Sequence, residues 1–90
     1  MQRLHAVIHG DVQGVGFRYF VIDRARSLGV RGWVRNRQDG TVELTAEGER
    51  GKLEELLDVA RRGPRGATVT DVDASWDAAS GTLGPFEISH

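Results

Sequence analysis

The chain contains no cysteine. That absence removes disulfides, zinc–thiolate centres and thiol nucleophiles together, so stability must come from packing and any chemistry must proceed without sulfur. No apolar run approaches membrane-spanning length, and no apolar signal core precedes the first alternating residues. A cytoplasmic location with no membrane partner is therefore expected. Charge of one sign is also missing: the net value of −1 is too small for a general nucleic-acid binder that works by neutralising phosphates. Internal repeats, linkers and low-complexity stretches are absent as well, so residues 1–90 are expected to form one domain with a modest core. What is present, 39% apolar and 28% charged residues, is ordinary for a globular protein and argues against disorder.

Against this plain background one stretch stands out, Gly10-Asp11-Val12-Gln13-Gly14-Val15-Gly16-Phe17-Arg18. It follows an alternating apolar segment and precedes a helical pattern. Three glycines in seven positions let the backbone turn tightly and point several N–H groups inward, which makes a cradle for an anion. Arg18 then falls in the first turn of the following helix, where free N–H donors and the positive end of the helix dipole already favour negative charge. The spacing is not that of a dinucleotide fingerprint, and the Gly-Lys-Ser/Thr ending of a nucleotide P-loop is missing. The arginines are also unevenly placed: residues 1–37 carry seven of them against two acids, whereas residues 38–90 carry five basic and eleven acidic residues. A basic first half suits a small anionic ligand near Arg18.

The apolar periodicity supplies the frame. Leu4, Ala6 and Ile8 alternate as one face of a strand, and Phe17, Phe20, Val21, Ala25 and Leu28 recur at helical spacing until Gly29 closes the helix. Val30–Arg37 and Thr41–Glu47 alternate around an Asp39-Gly40 turn and read as a hairpin. Leu53, Leu56, Leu57 and Ala60 mark a second amphipathic helix that ends at Gly63-Pro64. Thr68–Trp76 alternates again, and Phe86–Ile88 adds a short last strand. The order predicts an α+β fold, a ferredoxin-like βαββαβ sandwich with an additional C-terminal strand and two helices on one face of a mostly antiparallel sheet. In that topology the first two strands run parallel with the third between them. The glycine loop and Asn36 should then meet at one end of the sheet, two strand spacings or roughly 10 Å apart.

Two segments at this separation resemble the signatures of the acylphosphatase family. Ile8-His9-Gly10-Asp11-Val12-Gln13-Gly14-Val15-Gly16-Phe17-Arg18 is similar to the first. Gly32-Trp33-Val34-Arg35-Asn36-Arg37-Gln38-Asp39-Gly40-Thr41-Val42, followed by Gly48, is similar to the second. The likeness extends over essentially the whole chain. It implies a metal-independent, cofactor-free hydrolase of carboxyl phosphates, in which Arg18 binds the phosphoryl group and Asn36 orients the attacking water. The phosphate-binding loop would comprise Val12, Gln13, Gly14, Val15, Gly16, Phe17 and Arg18. A small acyl phosphate is then the substrate, inorganic phosphate or sulfate a product-like ligand, and a monomer the expected state. His90 stands where many members of the family end in an aromatic residue, and Asp11 places a carboxylate beside the loop.

Other residues read differently. His5 and His9 share a strand face without an evident third metal ligand, and Trp33 and Tyr19 lack the aromatic pattern of an RNA-binding sheet. A second reading stays open at this point, a non-catalytic ferredoxin-like module that senses a small anion or mediates association, because this fold hosts unrelated functions.

Overall fold

The computed structural model of the protein describes residues 1–90. Alternating residues build five strands, β1 (Gln2–Asp11), β2 (Arg31–Asn36), β3 (Val42–Gly48), β4 (Thr68–Ala78) and β5 (Glu87–Ile88). The helical patterns build α1 (Phe17–Leu28) and α2 (Arg50–Arg62). The sheet order is β4-β1-β3-β2-β5. All pairs are antiparallel except β2 with β5. This is the expected α+β sandwich, with β1 and β2 flanking β3 and both helices on one face.

The inward residues of the strands and the apolar stripes of the helices form one core of Leu4, Ala6, Ile8, Val34, Val42, Leu44, Val21, Leu53, Leu56 and their neighbours. The right-handed crossover from β1 through α1 to β2 requires α1 to lie on this face, and its apolar stripe of Phe17, Val21 and Ala25 is buried there. Gly29 ends α1 in the left-handed region, its N–H donating to the carbonyls of Ala25 and Arg26.

Element ends depart from the sequence pattern for local reasons. β1 runs beyond Leu4–Ile8 because polar Gln2 and Asp11 find backbone partners at Gly48, Ala78 and Thr68. The ladder of β1 with β4 shifts register between His9 and Gly10. Gly10 is needed at that shift, since a Cβ there would run into the carbonyl oxygen of Thr68.

Residues 79–85 form no helix or named strand but are tied to the sheet by the Gly32 N–H donating to the Gly84 carbonyl (3.2 Å), by the Arg31–Pro85 bridge, and by one carboxylate. Glu47 of β3, 5% exposed, accepts hydrogen bonds from the Ser80 N–H (2.7 Å), the Gly81 N–H (3.0 Å) and Arg3 Nε (2.8 Å). The Ser80 N–H above all, with the Gly81 N–H, Arg3 and the Ser80 hydroxyl, brings the Glu47 carboxyl from its ordinary 4.5 down to about 2, against the opposing effect of burial. Past this loop, Phe86 enters the core with 1% exposure and its carbonyl accepts from Arg26 Nε.

Two outcomes follow. Phe86→Ala should lower unfolding free energy by about 3–5 kcal/mol in urea titrations, the usual cost of emptying a buried phenyl site. Because the Glu47 carboxyl is depressed in the folded state, its stabilisation is complete above pH 4.5 and disappears as pH falls toward 2. Glu47→Gln should therefore flatten the fall in melting temperature across that window; an unchanged slope would contradict the assignment.

Candidate active site

Val42 pairs with Ile8 on one side and with Asn36 on the other. That row brings the exits of β1 and β2 to the same end of the sheet, as the topology requires. The loop after β1 is shaped by Gly14 at φ 76° and Gly16 at φ 77°. Both are left-handed conformations that a side-chain-bearing residue adopts at a cost of about 1–2 kcal/mol. Gly16 is the N-cap of α1, and no side chain caps the helix or places an acid in its first turn. None of the amides from Val12 to Gly16 donates to an acceptor of the protein, and Phe20 is the first in α1 to do so, to the Gly16 carbonyl at 3.0 Å. The loop thus presents a set of uncommitted donors beside the positive end of a helix.

The loop is held by its own glutamine. Gln13 Nε2 donates to the carbonyls of Arg37 (2.7 Å) and Thr41 (2.9 Å), the two residues that close the β2–β3 turn. The turn is braced in return: Arg37 N–H donates to Thr41 O, and the Thr41 hydroxyl and N–H both donate to Asp39 Oδ1, at 2.6 and 3.0 Å. The Thr41 hydroxyl, followed by its amide, holds the Asp39 carboxyl below its ordinary range.

Charge around the site is distributed unequally. Arg35 Nε donates to Glu43 at 2.7 Å, and Arg37 lies 3.8 Å from Asp39. Burial pushes the Glu43 carboxyl up, but hydrogen bonds from His5 and Arg35 outweigh it and hold the group ionised at neutral pH. Arg18, the second residue of α1 and half-buried, forms no ion pair. Its guanidinium has no carboxylate partner. Asn36 is half-buried at the end of β2, on the core side of the strand with Val34, and its carboxamide has no partner within the protein.

The structure therefore sets Arg18, Asn36 and the loop Val12, Gln13, Gly14, Val15, Gly16 and Phe17 at one end of the sheet. Within that set two residues face inward rather than outward. Val12 (1% exposed) and Phe17 (2% exposed) bury their side chains in the core, so only their amides are available to a ligand. An open cleft of about 480 Å³ adjoins Asn36, lined by Arg35, Asn36, Arg37, Gln38, Asp39 and His90. His90 had no role in the sequence pattern; the parallel register of β5 against β2 is what brings it here. The histidines of the open sheet face each meet one carboxylate, His5 with Glu43 and His9 with Asp73.

Fold and loop together define a small α+β sandwich protein with a glycine-rich, amide-presenting turn between its first strand and first helix. The family model described as acylphosphatase matches residues 4–88. An acylphosphatase of Anaeromyxobacter sp. (strain Fw109-5) is 54% identical over 90 residues, covering 100% of this chain and 97% of that one. The crystal structure of acylphosphatase from Bacillus subtilis superposes with a TM-score of 0.96 at 36% identity, covering 100% of both chains. Full-length HypF, in a phosphate- and nucleotide-bound form, contains a similar unit: TM-score 0.88 at 25% identity, over 100% of this chain and 12% of HypF. The chain belongs to the acylphosphatase family.

The Gln13 clamp is directly testable. Gln13→Ala removes two hydrogen bonds to half-buried carbonyls and should cost about 1–3 kcal/mol in denaturant unfolding. Gln13→Glu should cost more than alanine, because it aims a carboxylate at two carbonyl oxygens; equal or smaller destabilisation would refute the clamp.

Proposed function

We propose that the protein hydrolyses the carboxyl-phosphate bond of small acyl phosphates, releasing a carboxylate and inorganic phosphate by attack of an oriented water. The observation that carries this reading is that uncommitted loop amides and an Arg18 without an ion-pair partner lie at the sheet end that also bears Asn36. A phosphoryl group in transfer spreads negative charge over its equatorial oxygens, so preorganised N–H donors and one guanidinium supply most of what catalysis needs. The leaving group is a carboxylate, already a stable anion near neutral pH, and no protein acid has to protonate it. An alkyl phosphate would expel an alkoxide and should react poorly here. Asn36 can both donate to and accept from water, which fixes the direction of attack.

On this reading residues 1–90 act as one acylphosphatase-like domain. It is a cytoplasmic monomer that uses neither metal nor cofactor and engages neither nucleic acid nor membrane. Inorganic phosphate, or sulfate in its place, binds the loop as a product-like ligand. The net charge of −1 and the pairing of Arg35 and Arg37 support a single-anion site over a nucleic-acid surface. No helix is long and apolar enough to cross a membrane.

The test is hydrolysis of acetyl and benzoyl phosphate by purified protein with a chelator present, beside an alkyl phosphate. Rapid turnover of the first two and little of the third is expected; phosphate binding without turnover would support the anion-sensing module instead. Arg18→Ala should lower the rate by on the order of 10²-fold or more. Arg18→Lys should also be impaired, because an ammonium cannot reproduce the planar fork. Asn36→Ala should cut kcat more than phosphate affinity, and the opposite pattern would reject its water-orienting role.

A further inference from the structure

β5 runs parallel to β2 with Ile88 beside Val34, and the Ser89 N–H donates to the Val34 carbonyl at 2.8 Å. The paired strand ends at Ile88; extended two residues further, the same register would set His90 beside Asn36 and on the same face of the sheet, since side chains repeat every second residue. Adjacent strands lie about 4.8 Å apart. Two hydrogen bonds of about 2.8 Å each span such a gap through one water molecule. Both residues line the same cleft.

Of the other residues of that cleft, the charged ones have partners, and Gln38 is an exposed amide, a group that does not take up a proton near neutral pH. Arg35 is engaged by Glu43 from β3, and Arg37 sits 3.8 Å from Asp39. Asp39 itself is bonded by Thr41, which makes it a weak proton acceptor. Arg18 of α1 adds a further positive charge at this end of the sheet. His90 is exposed and has no hydrogen bond or ion pair in the protein, and an imidazole is the side chain suited to taking a proton near neutral pH.

We propose that the His90 imidazole accepts the proton of the water held by Asn36, making His90 a catalytic residue of this chain. The inference rests on the acyl phosphate reading above. As the water oxygen bonds to phosphorus, its proton passes to a free ring nitrogen. The bond from phosphorus to the acyl oxygen breaks, its electron pair leaving on the carboxylate. The imidazolium then returns the proton to solvent.

His90 can be changed without disturbing the fold, because Phe86 and Ile88 anchor the segment. H90Q and H90F should lower kcat on acetyl phosphate by roughly 10²-fold, the low end of a positioned base's contribution. They should also remove the loss of kcat/KM on the acid side that protonation of a base produces. A second readout needs no turnover: the NMR titration midpoint of the His90 ring should rise when orthovanadate is bound, since a nearby anion favours imidazolium. Variants with wild-type kcat and pH profile, or a midpoint indifferent to vanadate, would overturn the proposal while leaving acylphosphatase activity intact. A wild-type protein that hydrolyses no acyl phosphate would overturn both.

Discussion

The arrangement depends on one side chain that never needs to touch a ligand. By donating to the carbonyls of Arg37 and Thr41, Gln13 fastens the glycine loop to the β2–β3 turn. A loop whose amides have no internal acceptors is otherwise free to collapse onto its own carbonyls, because uncommitted backbone donors seek partners. The clamp uses a side-chain donor for this purpose and leaves the main-chain donors facing outward. It also couples the two halves of the site, since the turn that receives Gln13 directly follows Asn36.

Electrostatic economy follows from the same construction. Of Arg18, Arg35 and Arg37, the last two are accompanied by Glu43 and Asp39, so each of those pairs carries little net charge. Arg18 is left to act on its neighbours alone, at the end of a helix with no acid in its first turn. A site assembled this way attracts a small dianion through one guanidinium and several dipoles. With a good leaving group the chemistry asks for little more than this and a directed water.

Much of this was legible in the sequence because it rests on local rules. Alternation located the strands, the 3.6-residue period located the helices, and Gly29 and Asp39-Gly40 marked where elements end or turn. The parallel relation of β1 and β2 placed the loop and Asn36 together before any coordinates. What could not be read were the contacts made by long polar side chains across sequence gaps. Gln13 was expected only as a loop member, and its reach to residues 37 and 41 has no local signature. Glu47 looked like an ordinary outward-facing strand residue, yet it collects Ser80, Gly81 and Arg3 from distant segments. His90 acquired a place only through the register of a two-residue strand, too short for periodicity to define.

The central claim is that the amides of the loop and the Arg18 guanidinium converge on one phosphoryl group opposite Asn36. Amide and side-chain NMR shifts followed through a titration with inorganic phosphate test it most directly. The account predicts saturable changes at the amides of residues 13–18, at Arg18 Nε and at the Asn36 carboxamide, all with a common dissociation constant. Changes centred on another surface, or a loop that stays silent while phosphate binds, would contradict it.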